Sequence, residues 1–89
     1  MKRYCIRAIG KVHGVGYRIS ATEKARELGL RGFARNDPDS SVYIEAEGAE
    51  SALETFADWC AHGPAIANVS RIDIKREETL ENYSNFVAL

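Results

Sequence analysis

What most limits the fold of this chain is the order in which two apolar rhythms succeed one another along 89 residues. Tyr4, Ile6 and Ala8 alternate with Cys5, Arg7 and Ile9, the period of a strand over about residues 3–11 whose second face Arg7 marks as the wetter. After the glycine-broken turn Gly14-Val15-Gly16, Ala21, Ala25 and Leu28 fall on one stripe of a helix over about residues 18–28, with Gly29 as its left-handed stop. Residues 31–36 and 42–47 flank Asp37-Pro38-Asp39-Ser40, with proline where a type I turn favours it and clean alternation of Val42, Ile44 and Ala46, so they form a hairpin. Leu53, Phe56 and Cys60, with Ala57 beside them, mark a second helix over about residues 50–61 that Gly63-Pro64 ends. A fourth strand spans about residues 69–76, and residues 83–89 can form a short last one.

This order, β-α-β-β-α-β, is the split βαβ arrangement of ferredoxin-like folds. It predicts an α+β sandwich: an antiparallel sheet with two helices on one face and a short C-terminal strand. A helical crossover joins the first two strands, so they should run parallel within the sheet. The loop at 12–18 ends the first and Asn36 ends the second, so the two should meet at one end of the sheet.

The length argues for one domain, residues 1–89, with one core. Twelve basic and thirteen acidic residues leave a net charge of −1, so no general attraction to nucleic acid or to an anionic membrane is expected and any phosphate affinity must be local. Cys5 and Cys60 are neither a disulfide framework nor a zinc knuckle, and they should lie on opposite sides of the sheet, unbridged. Arg7 and Lys11 interrupt what would have to be the apolar stretch of a signal peptide, and no window is long and apolar enough for a membrane span. A reducing, cytoplasmic location is expected by default.

The run Lys11-Val12-His13-Gly14-Val15-Gly16-Tyr17-Arg18 is where chemistry concentrates. Its glycines allow successive N–H groups to converge into an oxyanion nest, and the helix that follows adds free N–H groups and the positive end of its dipole. A cation in a first helical turn is mildly unfavourable, so Arg18 makes better sense facing an anion, whose oxygens its planar fork can grip in pairs. A plain strand-to-helix turn with a surface arginine fits the loop alone about as well. Ile19 excludes a dinucleotide fingerprint and Val12 a Walker loop. Asn36 taken alone reads as a local cap; beside Arg18, its neutral amide could hold a water in line with a phosphorus atom.

The stretch Gly10 to Arg18 resembles the acylphosphatase signature G-x-V-x-G-V-G-[FY]-R, and Leu28 to Asn36 resembles the family's second block, in which an aromatic and a basic residue precede an asparagine. Ala46-Glu47-Gly48, Trp59-Cys60, Gly63-Pro64, Val69 and Tyr83-Ser84-Asn85-Phe86 match further positions in register. The resemblance implies hydrolysis of acyl phosphates to carboxylate and inorganic phosphate with no metal or cofactor. It implies phosphate binding by Arg18 and the loop backbone of His13, Gly14, Val15, Gly16, Tyr17 and Arg18, with Asn36 positioning the attacking water and the substrate's own phosphate oxygen taking its proton. A small acyl phosphate is the expected partner, with no nucleic acid or membrane, and the protein is expected to be a monomer. His13 stands for the commoner glutamine, Tyr17 for phenylalanine and Ser40-Ser41 for Asp-Gly, which leaves the hairpin turn's conformation open.

Other candidates carry blander expectations. His13 and His62 lack metal-ligand spacing and should be solvent-facing loop residues. Tyr17 should pack the loop, Phe56 the core, and Trp59 its margin. An RNA-binding module of the same fold would need paired aromatics on exposed central strands and a basic face, whereas the third strand offers Tyr43 with Glu45 beside it. A phosphate binder without turnover, or a stand-alone relative of carbamoyl-phosphate-handling domains, is a third reading; the presence of both Arg18 and Asn36 argues against idleness.

Overall fold

A computed structural model describes all 89 residues as β1 (Lys2–Lys11), α1 (Tyr17–Glu27), β2 (Arg31–Asn36), β3 (Val42–Gly48), α2 (Glu50–His62), β4 (Asn68–Glu77) and β5 (Phe86–Ala88). Period-two alternation in β1 sends Tyr4, Ile6 and Ala8 inward, where all three are fully buried. Val42, Ile44 and Ala46 of β3 and Ala34 of β2 continue that inner face. Ala21 and Ala25 of α1, and Leu53, Phe56, Ala57 and Cys60 of α2, close over it to make one core. Alanines on the inner stripe of α1 let that helix sit close to the sheet; Leu28, just past its end, is only half-buried.

The sheet order is β4-β1-β3-β2-β5. β1 and β2 are each antiparallel to β3 and therefore run parallel to one another, as the crossover argument requires. The first four strands pair antiparallel as expected, whereas β5 joins the far edge parallel to β2, which makes the sheet mixed. The reason is the route of the chain. β4 ends opposite Arg3, at the start of β1, and residues 78–85 then cross the sheet's open face before β5 turns back alongside β2. Glu47 pins that crossing: only 1 % exposed, its carboxylate accepts the main-chain N–H groups of Glu81, Asn82 (3.3 Å) and Tyr83 (3.1 Å).

In the β2–β3 hairpin, Ser40 N–H donates to Asp37 O at 3.1 Å and Asp37 N–H to Ser41 O at 2.9 Å. The turn predicted at residues 37–40 is therefore present. It is followed by a left-handed residue, Ser40 at φ 72, the three-residue hairpin connection that normally recruits glycine there. Cys5 is half-buried on the open face and Cys60 is buried in the core; both are free thiols. No helix is long and apolar enough to cross a membrane.

Candidate active site

β1 ends at Lys11 and β2 at Asn36, pointing the same way with β3 between them. Register aligns Ala8, Val42 and Asn36 across the three strands, so Asn36 lies about 10 Å sideways from β1 at the usual strand spacing. The loop that follows Lys11 rises just beyond that line.

Gly14 (φ 73) and Gly16 (φ 75) are left-handed, and Val15 between them is not. Alternation of this kind turns successive N–H groups toward one side. A Cβ on either glycine would meet nothing within 4 Å, so the requirement is conformational and the space beside the loop is open. None of the main-chain N–H groups from His13 to Ile19 donates to a backbone carbonyl; the first to do so is Ser20, bonded to Gly16 O at 2.9 Å. Gly16 caps α1 without a side-chain bond, and the first turn holds no acidic residue. The positive end of α1 is thus left without an internal anion.

Arg18, in that first turn, directs its guanidinium across the end of the sheet. Nη1 donates to Leu89 O at 2.8 Å, and Leu89 N–H in turn donates to Ala34 O of β2 at 2.8 Å. The arginine is therefore held beside the strand that ends in Asn36. Its Nε is buried without an acceptor, an arrangement that costs free energy unless an anion meets it. Asn36 is exposed and its carboxamide bonds to nothing. The local capping that an asparagine could do here falls to Asp39, whose Oδ1 accepts Ser41 N–H at 3.0 Å and the Ser41 hydroxyl at 2.5 Å.

Two residues depart from the sequence expectation or refine it. His13 is not a free loop residue: half-buried, it places Nε2 2.7 Å from Ser41 O, and since a carbonyl can only accept, Nε2 carries the proton. Tyr17 contributes main chain only to the loop's rim. Its ring is fully buried against Trp59, 5.6 Å between centroids, and its hydroxyl donates to Cys60 O at 2.6 Å. Burial pushes that phenol's pKa far up, so it stays a neutral donor. His62 is exposed, as expected, but it is the last residue of α2 and not part of a loop, with Nδ1 2.9 Å from Asp58 O one turn back.

Reading the residues alone missed a charged cluster beside Asn36. Asp37 accepts Arg7 Nη1 at 2.7 Å and Arg35 Nε at 2.8 Å. The Arg7 hydrogen bond, then that of Arg35, holds its carboxyl below the ordinary range. The signal that could have found it is the pairing of Arg7, Tyr43 and Arg35 in one cross-strand row on the open face. Both guanidinium groups stack on Tyr43, at 5.0 and 4.7 Å from its centroid. Phe33 and Tyr83 extend this face beyond the single aromatic expected. Yet the hydroxyls of Tyr43 and Tyr83 both donate to Glu45, at 2.6 and 2.7 Å, which puts an acid at the centre of the patch. No group of three or more His, Cys, Asp or Glu side chains is placed to hold a metal ion.

Comparison with known proteins points in one direction. The family described as Acylphosphatase matches residues 4–88. A curated acylphosphatase of Methylococcus capsulatus is 39 % identical over 89 residues, covering 100 % of this chain and 97 % of the relative. One from Shewanella amazonensis is 42 % identical over 86 residues, covering 97 % and 94 %. Among solved structures, the acylphosphatase of Bacillus subtilis superposes with a TM-score of 0.97 at 32 % identity, over 100 % of this chain and 99 % of that one.

Proposed function

Because this chain belongs to the acylphosphatase family of enzymes, we propose that it hydrolyses acyl phosphates by gripping the phosphoryl group between the His13–Arg18 main-chain amides and the Arg18 guanidinium, with Asn36 aligning the attacking water. The carrying observation is the set of N–H groups from His13 to Ile19 that donate to no backbone carbonyl, curled around Gly14 and Gly16 at the sheet end where Arg18 and the uncommitted Asn36 also lie.

The chemistry asks little more. Water attacks phosphorus as the bond to the acyl oxygen breaks, the carboxylate departs with the electron pair, and the water's proton passes to a phosphoryl oxygen. A carboxylate is a good leaving group, so no acid need protonate it. What remains is positioning and stabilisation of charge on the equatorial oxygens, which preorganised N–H donors provide. Asn36 serves as a neutral orienter: its amide oxygen accepts from the water and its N–H₂ donates, with no need to ionise. Inorganic phosphate is the second product. The same reading takes the protein to be a cytoplasmic monomer that needs neither metal nor cofactor.

Benzoyl phosphate hydrolysis followed in EDTA tests it. Wild type should turn over, and Arg18→Ala and Asn36→Ala should each lower kcat/KM by about 100-fold or more, the scale of losing a preorganised donor at developing charge. A folded wild type with no activity, or an Arg18→Ala variant as fast as wild type, would refute the assignment.

A further inference from the structure

Ser41 is 3 % exposed, and every polar atom it has is engaged. Its carbonyl accepts Asp37 N–H at 2.9 Å from within the hairpin and His13 Nε2–H at 2.7 Å from the glycine loop. Its hydroxyl accepts Arg7 Nη1 at 2.7 Å and donates to Asp39 Oδ1 at 2.5 Å. Asp37, bonded covalently to Asn36, is tied to the same Arg7. One carbonyl oxygen thus joins the loop at its second residue to the amide next to Asn36, and one guanidinium braces that joint from β1. Nothing else in the side-chain hydrogen bonding connects residues 12–16 to the hairpin.

We propose that Ser41 is the joint that holds the phosphate-gripping loop in register with Asn36, and that His13 and Arg7 are positioning residues for hydrolysis because they grip that joint. This rests on the function proposed above. Under that function the loop and Arg18 hold the phosphorus while the hairpin holds the water, so the reacting distance is set by how the two are fastened together. Misplacement of about 1 Å in such a pair costs on the order of 100-fold in rate, while binding of the phosphoryl group is a matter for the loop and Arg18. Histidine is suited to the strap because Nε2–H donates in the neutral ring as well as in the cation. Glutamine carries an amide donor at similar reach.

The test is a kcat-against-binding split, read with benzoyl phosphate turnover and competitive inhibition by inorganic phosphate, with Tm recorded for each variant. His13→Ala should lower kcat by about tenfold or more while the phosphate inhibition constant stays within about twofold. His13→Gln should recover most of that loss. Arg7→Ala should lower kcat less, and the double variant should fall short of the product of the two single losses, because both act through one joint. Loss of phosphate binding in step with kcat, equal impairment of the Ala and Gln variants, or multiplicative losses would overturn the proposal. An active wild type whose rate His13→Ala leaves unaltered defeats the joint alone; an inactive wild type defeats the hydrolase reading and the joint with it.

Discussion

Ser40 holds φ 72, a conformation that costs a residue with a Cβ about 1–2 kcal/mol and a glycine almost nothing. Glycine would bring its own entropy cost of about 0.5–1 kcal/mol, so Ser40→Gly should stabilise the protein by roughly 0.5–1 kcal/mol. For a domain of this size that is an increase of about 2–8 °C in Tm, measurable by circular dichroism. The Ser40 hydroxyl makes no hydrogen bond that the change would remove, and a lower Tm would contradict the account. The residue scale is also where sequence reading reached its limit. Proline at 38 and asparagine at 36 announced a turn, but which residue takes the left-handed angle depends on the bulge after the turn. Likewise Tyr17, next to Arg18 in the loop motif, turns its ring into the core because α2 offers Cys60 O and an open Gly63 backbone against which only a glycine fits: a Cβ there would lie 2.7 Å from the ring.

At the scale of elements, alternation and helical stripes located both helices and the first four strands to within a residue or two, since each has one face that must leave water. What they could not supply is what lies across from what. The row Asp73, Arg7, Tyr43 and Arg35 exists only once β4, β1, β3 and β2 are set side by side in register. Asp37 joins that row from the hairpin turn, and its stabilising charge is lost in acid. Its carboxyl is held low in the folded state, so between its folded pKa and the unfolded value near 4 the unfolded chain binds the extra proton. Its contribution is therefore complete above the unfolded value and lost as pH falls through the folded one. Asp37→Asn, which cannot titrate, should be less stable than wild type at pH 7, and the gap should shrink as pH drops from about 5 toward 2. Urea melts of both proteins across that range check it; a gap that widened in acid would contradict the assignment of Asp37 as the charged anchor of the hairpin.

For the molecule as a whole, the decisive feature is how distant parts of the chain are delivered to one end of one sheet. β1 brings the glycine loop, β2 brings Asn36, and β5 brings Leu89, which steadies Arg18 from the far edge. The meeting of the first two was legible, because a helical crossover makes β1 and β2 parallel. The third was not. A three-residue strand has too little pattern to declare its direction, and the crossing that precedes it is held by Glu47, a buried carboxylate that alternation alone would have left on a wet sheet face. The central claim, that this assembled corner is an anion site, is most directly tested by titrating the 15N-labelled protein with inorganic phosphate and following its amide resonances. The account predicts saturable shifts concentrated in the main-chain amides of residues 13–18 and the side-chain amide of Asn36, abolished in Arg18→Ala. Shifts centred on the open sheet face around Tyr43, or no saturable shift in the loop at all, would contradict it.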